Sequence, residues 1–515
     1  MSTDLRDKVS VSAEASQADH FRTDHLIENI GHRAVSGGFV TFSAQAAKFA
    51  MNLGAAAILA RLLIPKDFGL VGMVLGVTSI VNVFKDLGLS RATVQREEIT
   101  QEQVSNLFWI NVAFGVLLTG ICVALAPFLA WFYRDSRVEG IMLGMSLVFV
   151  LAGSTAQHQA LLTRQMRFQA LAVIDVSSMA IGFISGVVLA WMGFGYWALV
   201  AQQVLTAAGG LVMTWVISSW RPHLPSRNSG VRPMVTFGTH LSVADLIVQF
   251  TGNCDSILIG RFFGAAPLGL YTRAQVLLSR PIQQVISPIN SVMIPVLSRL
   301  QSDQERYRRS YMQAYDGLAL MVFSFSAMCF ALAKPIVLVI LGPKWTGVIP
   351  LLMAFAIIGV TWPLAEICAW LYESQGRGKD QLRNHALAGL VTVIAYSIGL
   401  HWGPLGVVAA NAVMGILVRL PIVYFIAGRR GPVCTSDMWL GFVSHVPCWV
   451  AVYLATAGIY QTMVHVNPFI QLLVCAPVGL GVGTVLMLLF PRPRRSALFA
   501  GSKIMGAWKV RFAPA

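Results

Sequence analysis

From residue 36 to residue 490 the chain reads as fourteen apolar runs of 18 to 31 residues, each bounded by charge or by Gly/Pro punctuation. A helix needs about 20 predominantly apolar residues to cross the hydrocarbon core of a bilayer. Fourteen such runs occupy most of the chain and leave little for anything else. The segment from Pro335 to Gly342 is ambiguous, with an extension of the ninth run as one reading. Composition agrees: 56% of the 515 residues are hydrophobic and 12% are charged, half the roughly 25% of a soluble domain. A cytosolic enzyme, a nucleic-acid binder and a disordered regulator are excluded. The expected fold class is an all-α polytopic membrane protein with about 14 transmembrane helices.

The net charge of +15 acquires meaning from where it sits. With the N-terminus placed in the cytosol, 26 of the 38 lysines and arginines fall in cytosolic loops and tails, seven in outer loops and five within helices. That bias predicts cytosolic termini and basic loops against an anionic leaflet, with no nucleic-acid partner. Trp131, Trp191, Trp197, Trp345 and Trp402 fall at predicted outer ends, and Trp220, Trp370 and Trp439 toward inner ends, as interfacial belts would. The seven cysteines are scattered without a CxxC pair, so packing is expected rather than a disulfide or metal site. The first 33 or so residues are polar and lack a cleavable apolar core, so no signal peptide is expected.

The two halves resemble each other. "ARLLIPKDFGLVG" from Ala60 aligns with "GRFFGAAPLGLYT" from Gly260 at an offset of 200, matching Arg61 with Arg261, Gly69 with Gly269 and Leu70 with Leu270. "ALAPFLAWFY" from Ala124 aligns with "ALAKPIVLVI" from Ala331, and "FGYWALVA" ending at Ala201 with "WGPLGVVA" ending at Ala409, at offsets of 207 and 208. Six helices per repeat is an even number, so both halves enter from the same side, a parallel repeat. The expected organisation is a cytosolic tail (1–33), a six-helix lobe (34–220), a basic connector (221–232), a second six-helix lobe (233–428), and two extra helices with a basic tail (429–515). Two such lobes around a central cavity suit alternating access.

The segments "LARLLIPKDFGLVGM" and "NCDSILIGRFFGAAPLGLYTRA", together with 6+6+2 helices, resemble the bacterial polysaccharide flippases. These belong to the multidrug/oligosaccharidyl-lipid/polysaccharide exporter superfamily. The resemblance covers roughly residues 33–430. It implies a cell inner membrane location and export of an undecaprenyl-diphosphate-linked oligosaccharide for O-antigen, exopolysaccharide or capsule, alongside the polysaccharide polymerisation machinery.

Charge within an apolar run is costly and marks cavities or partners. Lys48, Asp245, Arg280 and Arg419 lie deep in the first, seventh, eighth and twelfth runs. Asp175, Asp316, Glu366 and the Lys85–Asp86 pair lie nearer the cytosol, and Asp255 and Arg273 nearer the outside. Lys48, Arg273 and Arg280 are the candidates for a lipid diphosphate, because ammonium and guanidinium groups donate to phosphate oxygens. Pairing with a carboxylate, or snorkelling, is the alternative for each. Asp245 follows Lys48 by 197 residues, close to the repeat offset, and is the expected counter-charge of Lys48 and a further cavity candidate. Arg61 and Arg261 recur at equivalent helix ends, as mouth-lining residues or as anchors. Pro281, Pro288 and Pro295 recur every seven residues in the eighth run and are candidate hinges.

Two other functions compete. A cation-coupled drug or solute exporter of the same superfamily needs a coupling carboxylate within one lobe, which Asp245 and Asp255 leave open. A membrane glycosyltransferase, polymerase or ligase needs sizeable outer loops bearing acid or base residues, and these loops run about four to twelve residues. No catalytic residue, metal site or cofactor is expected. Without a Walker motif, ATP is not the direct energy source, which leaves a proton or sodium gradient.

Overall fold

The computed structural model describes residues 30–85, 88–96, 99–226 and 232–489, apart from the side chains of 30–42, 91, 232–245 and 487–488. The described residues form long helices joined by short turns. In the first half these are α1 (Ile30–Leu62), α2 (Pro65–Val81), α3 (Gln101–Tyr133), α4 (Arg137–Arg164), α5 (Phe168–Trp191), α6 (Tyr196–Ile217) and α7 (Arg232–Phe263). The second half contributes α8 (Ala265–Arg299), α9 (Gln304–Ala331), α10 (Val348–Ile367), α11 (Gly378–Gly399), α12, α13 (Thr435–Thr462) and α14 (Pro468–Leu489). Helix α12 is built from Gly403–Met414, a π turn over Gly415–Arg419, and Leu420–Gly428. Each of the fourteen predicted spans therefore has its helix.

Local chemistry sets the ends. Pro65 opens α2 at its first turn, where a missing N–H costs nothing, and the Asp67 carboxylate accepts from the Ile64 N–H at 3.2 Å. Thr100 and Gln103 form a reciprocal cap at the start of α3, with bonds of 3.2 and 3.3 Å. Capping of this kind lets α3 and α9 begin several residues before their apolar runs, because hydropathy marks the membrane-embedded part of a helix and not its end. After the 3₁₀ turn Asn82–Phe84, Gly88 (φ 67°) starts a separate short helix, Leu89–Gln95. The segment after α9 is likewise a separate helix, Ala333–Ile340, set off at Leu332, rather than an extension of α9.

The chain divides into two compact units, residues 1–266 and 267–515. In the first, α3 packs on α4, α5 on α6, α4 on α6, α1 on α5 and α2 on α7. In the second, α9 packs on α10 and α13, α11 on α12, α10 on α12, and α14 on α13 and α9. Small residues bring these pairs together as membrane helices require. A Cβ built on Gly115 would lie 2.7 Å from the Phe149 carbonyl oxygen, and one on Gly153 2.5 Å from that of Asn111, so α3 and α4 touch backbone to backbone.

The tryptophan belts need correction. Trp131, Trp191 and Trp402 are 72%, 79% and 72% exposed, as interfacial residues should be, but Trp220, Trp345 and Trp370 are buried in the protein. Trp220 packs with Phe108 and His158, and Trp370 with Tyr311, so their rings serve the core.

Candidate functional site

Ten stretches of the described residues are long and apolar enough to cross a membrane, taking in eleven of the fourteen helices. The three left out are α1, α7 and α8. Polar side chains interrupt each of them, and a polar face on a membrane-embedded helix belongs against protein or water, not lipid.

In the first unit, Gln45, Lys48 and Asn52 stand at i, i+3 and i+7 of α1 and so share one face. Gln45 and Asn52 are exposed and Lys48 is partly exposed. The Lys48 ammonium donates to Asp175 Oδ2 of α5 at 2.7 Å. This carboxylate was visible in the sequence, yet nothing there joined it to Lys48, which lies 127 residues away. The side chain of Asp245, the counter-charge expected from the repeat, lies outside the described residues.

In the second unit, α8 runs unbroken for 35 residues through Pro281, Pro288 and Pro295. Leu268, Tyr271, Leu278, Ile282, Ile286 and Leu297 are buried and define its protein-facing edge. That edge lies along α10 and the short helix Ala369–Ser374. Leu270 meets Gly347, Leu278 meets Gly359, and the Tyr271 and Phe355 rings are 5.1 Å apart. Farther along, Trp370 Nε1 donates to Asn290 Oδ1 at 2.7 Å. On the opposite edge, steps of seven residues align Arg273 with Arg280, and Gln284 with Ser291 and Ser298. Arg280, Gln284, Ser291 and Ser298 are exposed and Arg273 is partly so. The prolines flank the same edge. Each removes the N–H that would bond the carbonyl four residues earlier, freeing the carbonyls of Leu277, Gln284 and Ser291 for other donors. Edge and prolines together form one continuous polar strip carrying two guanidinium groups.

The remaining candidates divide. Arg61 and Arg261 occupy the last turns of α1 and α7, where a cation complements the helix dipole. The Arg261 guanidinium also lies 5.5 Å from the centre of the Phe132 ring, an anchoring contact. Asp255 is buried, one oxygen accepting from the Ser256 N–H at 2.6 Å. Arg419 closes the π turn of α12 and donates to Thr392 Oγ1 and Asn411 Oδ1 at 3.3 and 3.4 Å. Those contacts tie α11 and both parts of α12 together.

Comparison with known proteins identifies the setting of these features. The family model described as "Polysaccharide biosynthesis protein" matches residues 58–350. The "Teichuronic acid biosynthesis protein TuaB" of Bacillus subtilis (strain 168) is 27% identical over 55% of this chain and 59% of its own length. The "Succinoglycan biosynthesis transport protein ExoT" of Rhizobium meliloti (strain 1021) is 27% identical over 91% of this chain and 94% of its own. The "Lipopolysaccharide biosynthesis protein WzxC" of Escherichia coli (strain K12) is 22% identical over 82% and 88%. Among solved structures, "Lipid II flippase MurJ, inward closed conformation" superposes with a TM-score of 0.69 at 14% identity, covering 89% of this chain and 99% of that one. An inward-facing multidrug-resistance MATE transporter follows with a TM-score of 0.55 at 15% identity, covering 78% and 95%. These two show a shared fold. With the family model spanning more than half of its length, the chain belongs to the polysaccharide biosynthesis protein family, and it is a multi-pass membrane protein of that family.

Proposed function

We propose that this protein is a flippase, not an enzyme, that exports an oligosaccharide linked to undecaprenyl diphosphate across the cell inner membrane for polysaccharide or lipopolysaccharide biosynthesis. The observation that carries the reading is the strip on α8. Two guanidinium groups a week of residues apart on a polar edge of a membrane helix offer paired, planar donors to phosphate oxygens. Lys48 adds a third cation in the first unit. The names of the relatives, biosynthesis and transport proteins for several cell-surface polysaccharides, support the same substrate class. In this reading both termini are cytosolic, the two lobes work by alternating access, a proton or sodium gradient supplies the energy, and the product passes to the polymerisation machinery outside.

The test is deletion followed by complementation. Deletion should trap undecaprenyl-linked oligosaccharide on the cytosolic side and stop surface polysaccharide. Wild-type protein should clear the trapped lipid, and Arg273→Ala with Arg280→Ala should not, at equal membrane abundance. Surface polysaccharide made normally by the deletion strain, with no trapped lipid, would refute the assignment.

A further inference from the structure

The ion pair between Lys48 and Asp175 is placed where it gains little as a structural contact. Its side chains are 24% and 46% exposed, and pairs that open to solvent add little to stability. Yet it sits well inside the membrane helices. Asp175 is about 10 Å into α5, and Lys48 is about 21 Å from the far end of α1, at 1.5 Å per residue. Ionisable groups at such depth are costly and belong to wet spaces. Gln45 and Asn52, exposed on the same face of α1, complete a polar surface on which the ammonium is accessible and the carboxylate more so. An ion pair that is costly to insert, weak as a brace and open to water is suited to being broken.

We propose that Asp175 is a stand-in for the anionic headgroup of the substrate: it neutralises Lys48 in the empty transporter, and an incoming lipid diphosphate displaces it. The inference rests on the flippase reading and names a residue that reading does not use. A diphosphate brings more acceptor oxygens and more charge than one carboxylate, so it wins the ammonium when present. Asp175, almost half exposed, remains hydrated when released. On the far side, Asp175 recaptures Lys48 as the headgroup departs, which resets the site. Asp175 also screens the ammonium from weaker anions, so only a headgroup that outbids a carboxylate is taken. Asp175 is thus a positioning and selectivity residue, acting through Lys48.

The consequence is a split between affinity and turnover. With the purified full-length chain in lipid nanodiscs and undecaprenyl diphosphate as the probe, Asp175→Asn should bind about fivefold more tightly than wild type, the equivalent of one exposed ion pair. In complemented cells it should export several-fold more slowly at equal membrane abundance. Asp175→Glu, which keeps the charge, should recover most of the rate, and Lys48→Gln should bind weakly. In wild-type protein, labelling of Asp175 by excess dicyclohexylcarbodiimide, scored by mass spectrometry, should rise when undecaprenyl diphosphate is added. That measurement decides the matter even if Asp175→Asn does not fold. Wild-type binding with no gain in Asp175→Asn, or Asp175 labelling that stays level, overturns the exchange and leaves the flippase reading standing. Wild-type protein that does not bind undecaprenyl diphosphate overturns both.

Discussion

A single pair in a turn between two helices shows how far residue-level electrostatics reach in such a protein. Asp135, between α3 and α4, accepts from the Arg137 backbone N–H at 3.1 Å and from its guanidinium at 2.9 and 2.7 Å. The hydrogen bonds from the Arg137 side chain hold the Asp135 carboxyl below its ordinary value, against partial burial, which opposes them. A carboxylate depressed on folding adds stability above its unfolded value, near 3.9. That stability is lost as the pH falls through the lower folded value. Asp135→Asn should therefore destabilise detergent-solubilised protein by about 0.5 kcal/mol at neutral pH, the size of a solvent-screened pair. The difference should shrink as the pH falls below the ordinary carboxylate range, and melting curves at neutral and at acid pH check it. An equal loss at both would assign the effect to geometry instead of charge. Such local pairs are legible in sequence because the partners lie two residues apart. The Lys48–Asp175 pair is not, because hydropathy marks both residues as buried charges while only the packing of α1 on α5 says that they meet.

At the scale of a helix, periodicity carries more. On α5, Ser178, Gly182, Gly186 and Ala190 recur every four residues and are all buried, forming the small-residue seam on which α6 lies. A Cβ on Gly182 would overlap the Thr206 hydroxyl and stand 2.6 Å from the Gln202 carbonyl oxygen. Gly182→Leu should thus cost about 1–3 kcal/mol and lower the amount of folded protein in the membrane. Gly120→Leu serves as the control, since a Cβ there meets nothing within 4 Å. Equal abundance of both variants, measured by fluorescence-detected size exclusion, would show that the seam is not tight. The prolines of α8 were equally legible, but their expected role as hinges is a matter of motion. The helix is continuous through all three, with Pro288 and Pro295 exposed. If the backbone bonds lost at the prolines let α8 bend during transport, Pro288→Ala restores one of them, stiffens the helix and slows export severalfold without lowering abundance. Unchanged export would leave the prolines as makers of the polar strip alone.

For the whole molecule, the number and class of the helices followed from apolar runs because a lipid environment permits few alternatives. The division into units did not follow in the same way. By sequence, α7 opens the second repeat, since Arg261 and the residues after it match Arg61 and its successors. By contact it sits in the compact unit that ends at residue 266, packed on α2. They touch at Gly76 of α2, where a Cβ would stand 3.4 Å from the Ile257 side chain of α7. Sequence repeats record ancestry of segments, whereas compact units record which side chains bury one another, and the two need not share a border. The parallel repeat itself is tested by topology, independently of packing. Reporter fusions after Arg227 and after Arg306 should report the cytosol, and those at Lys66 and Lys344 the periplasm. Arg306 is the deciding position. It follows α8 in the chain and lies in the first turn of α9, the third helix of the second repeat. An even number of crossings must separate it from the N-terminus if both repeats enter the membrane from the same side. The basic residues around it, Arg299, Arg306, Arg308 and Arg309, already favour the cytosolic face. A periplasmic signal at Arg306 would mean an odd number of crossings before it, and with it the loss of both the fourteen-span topology and the parallel repeat.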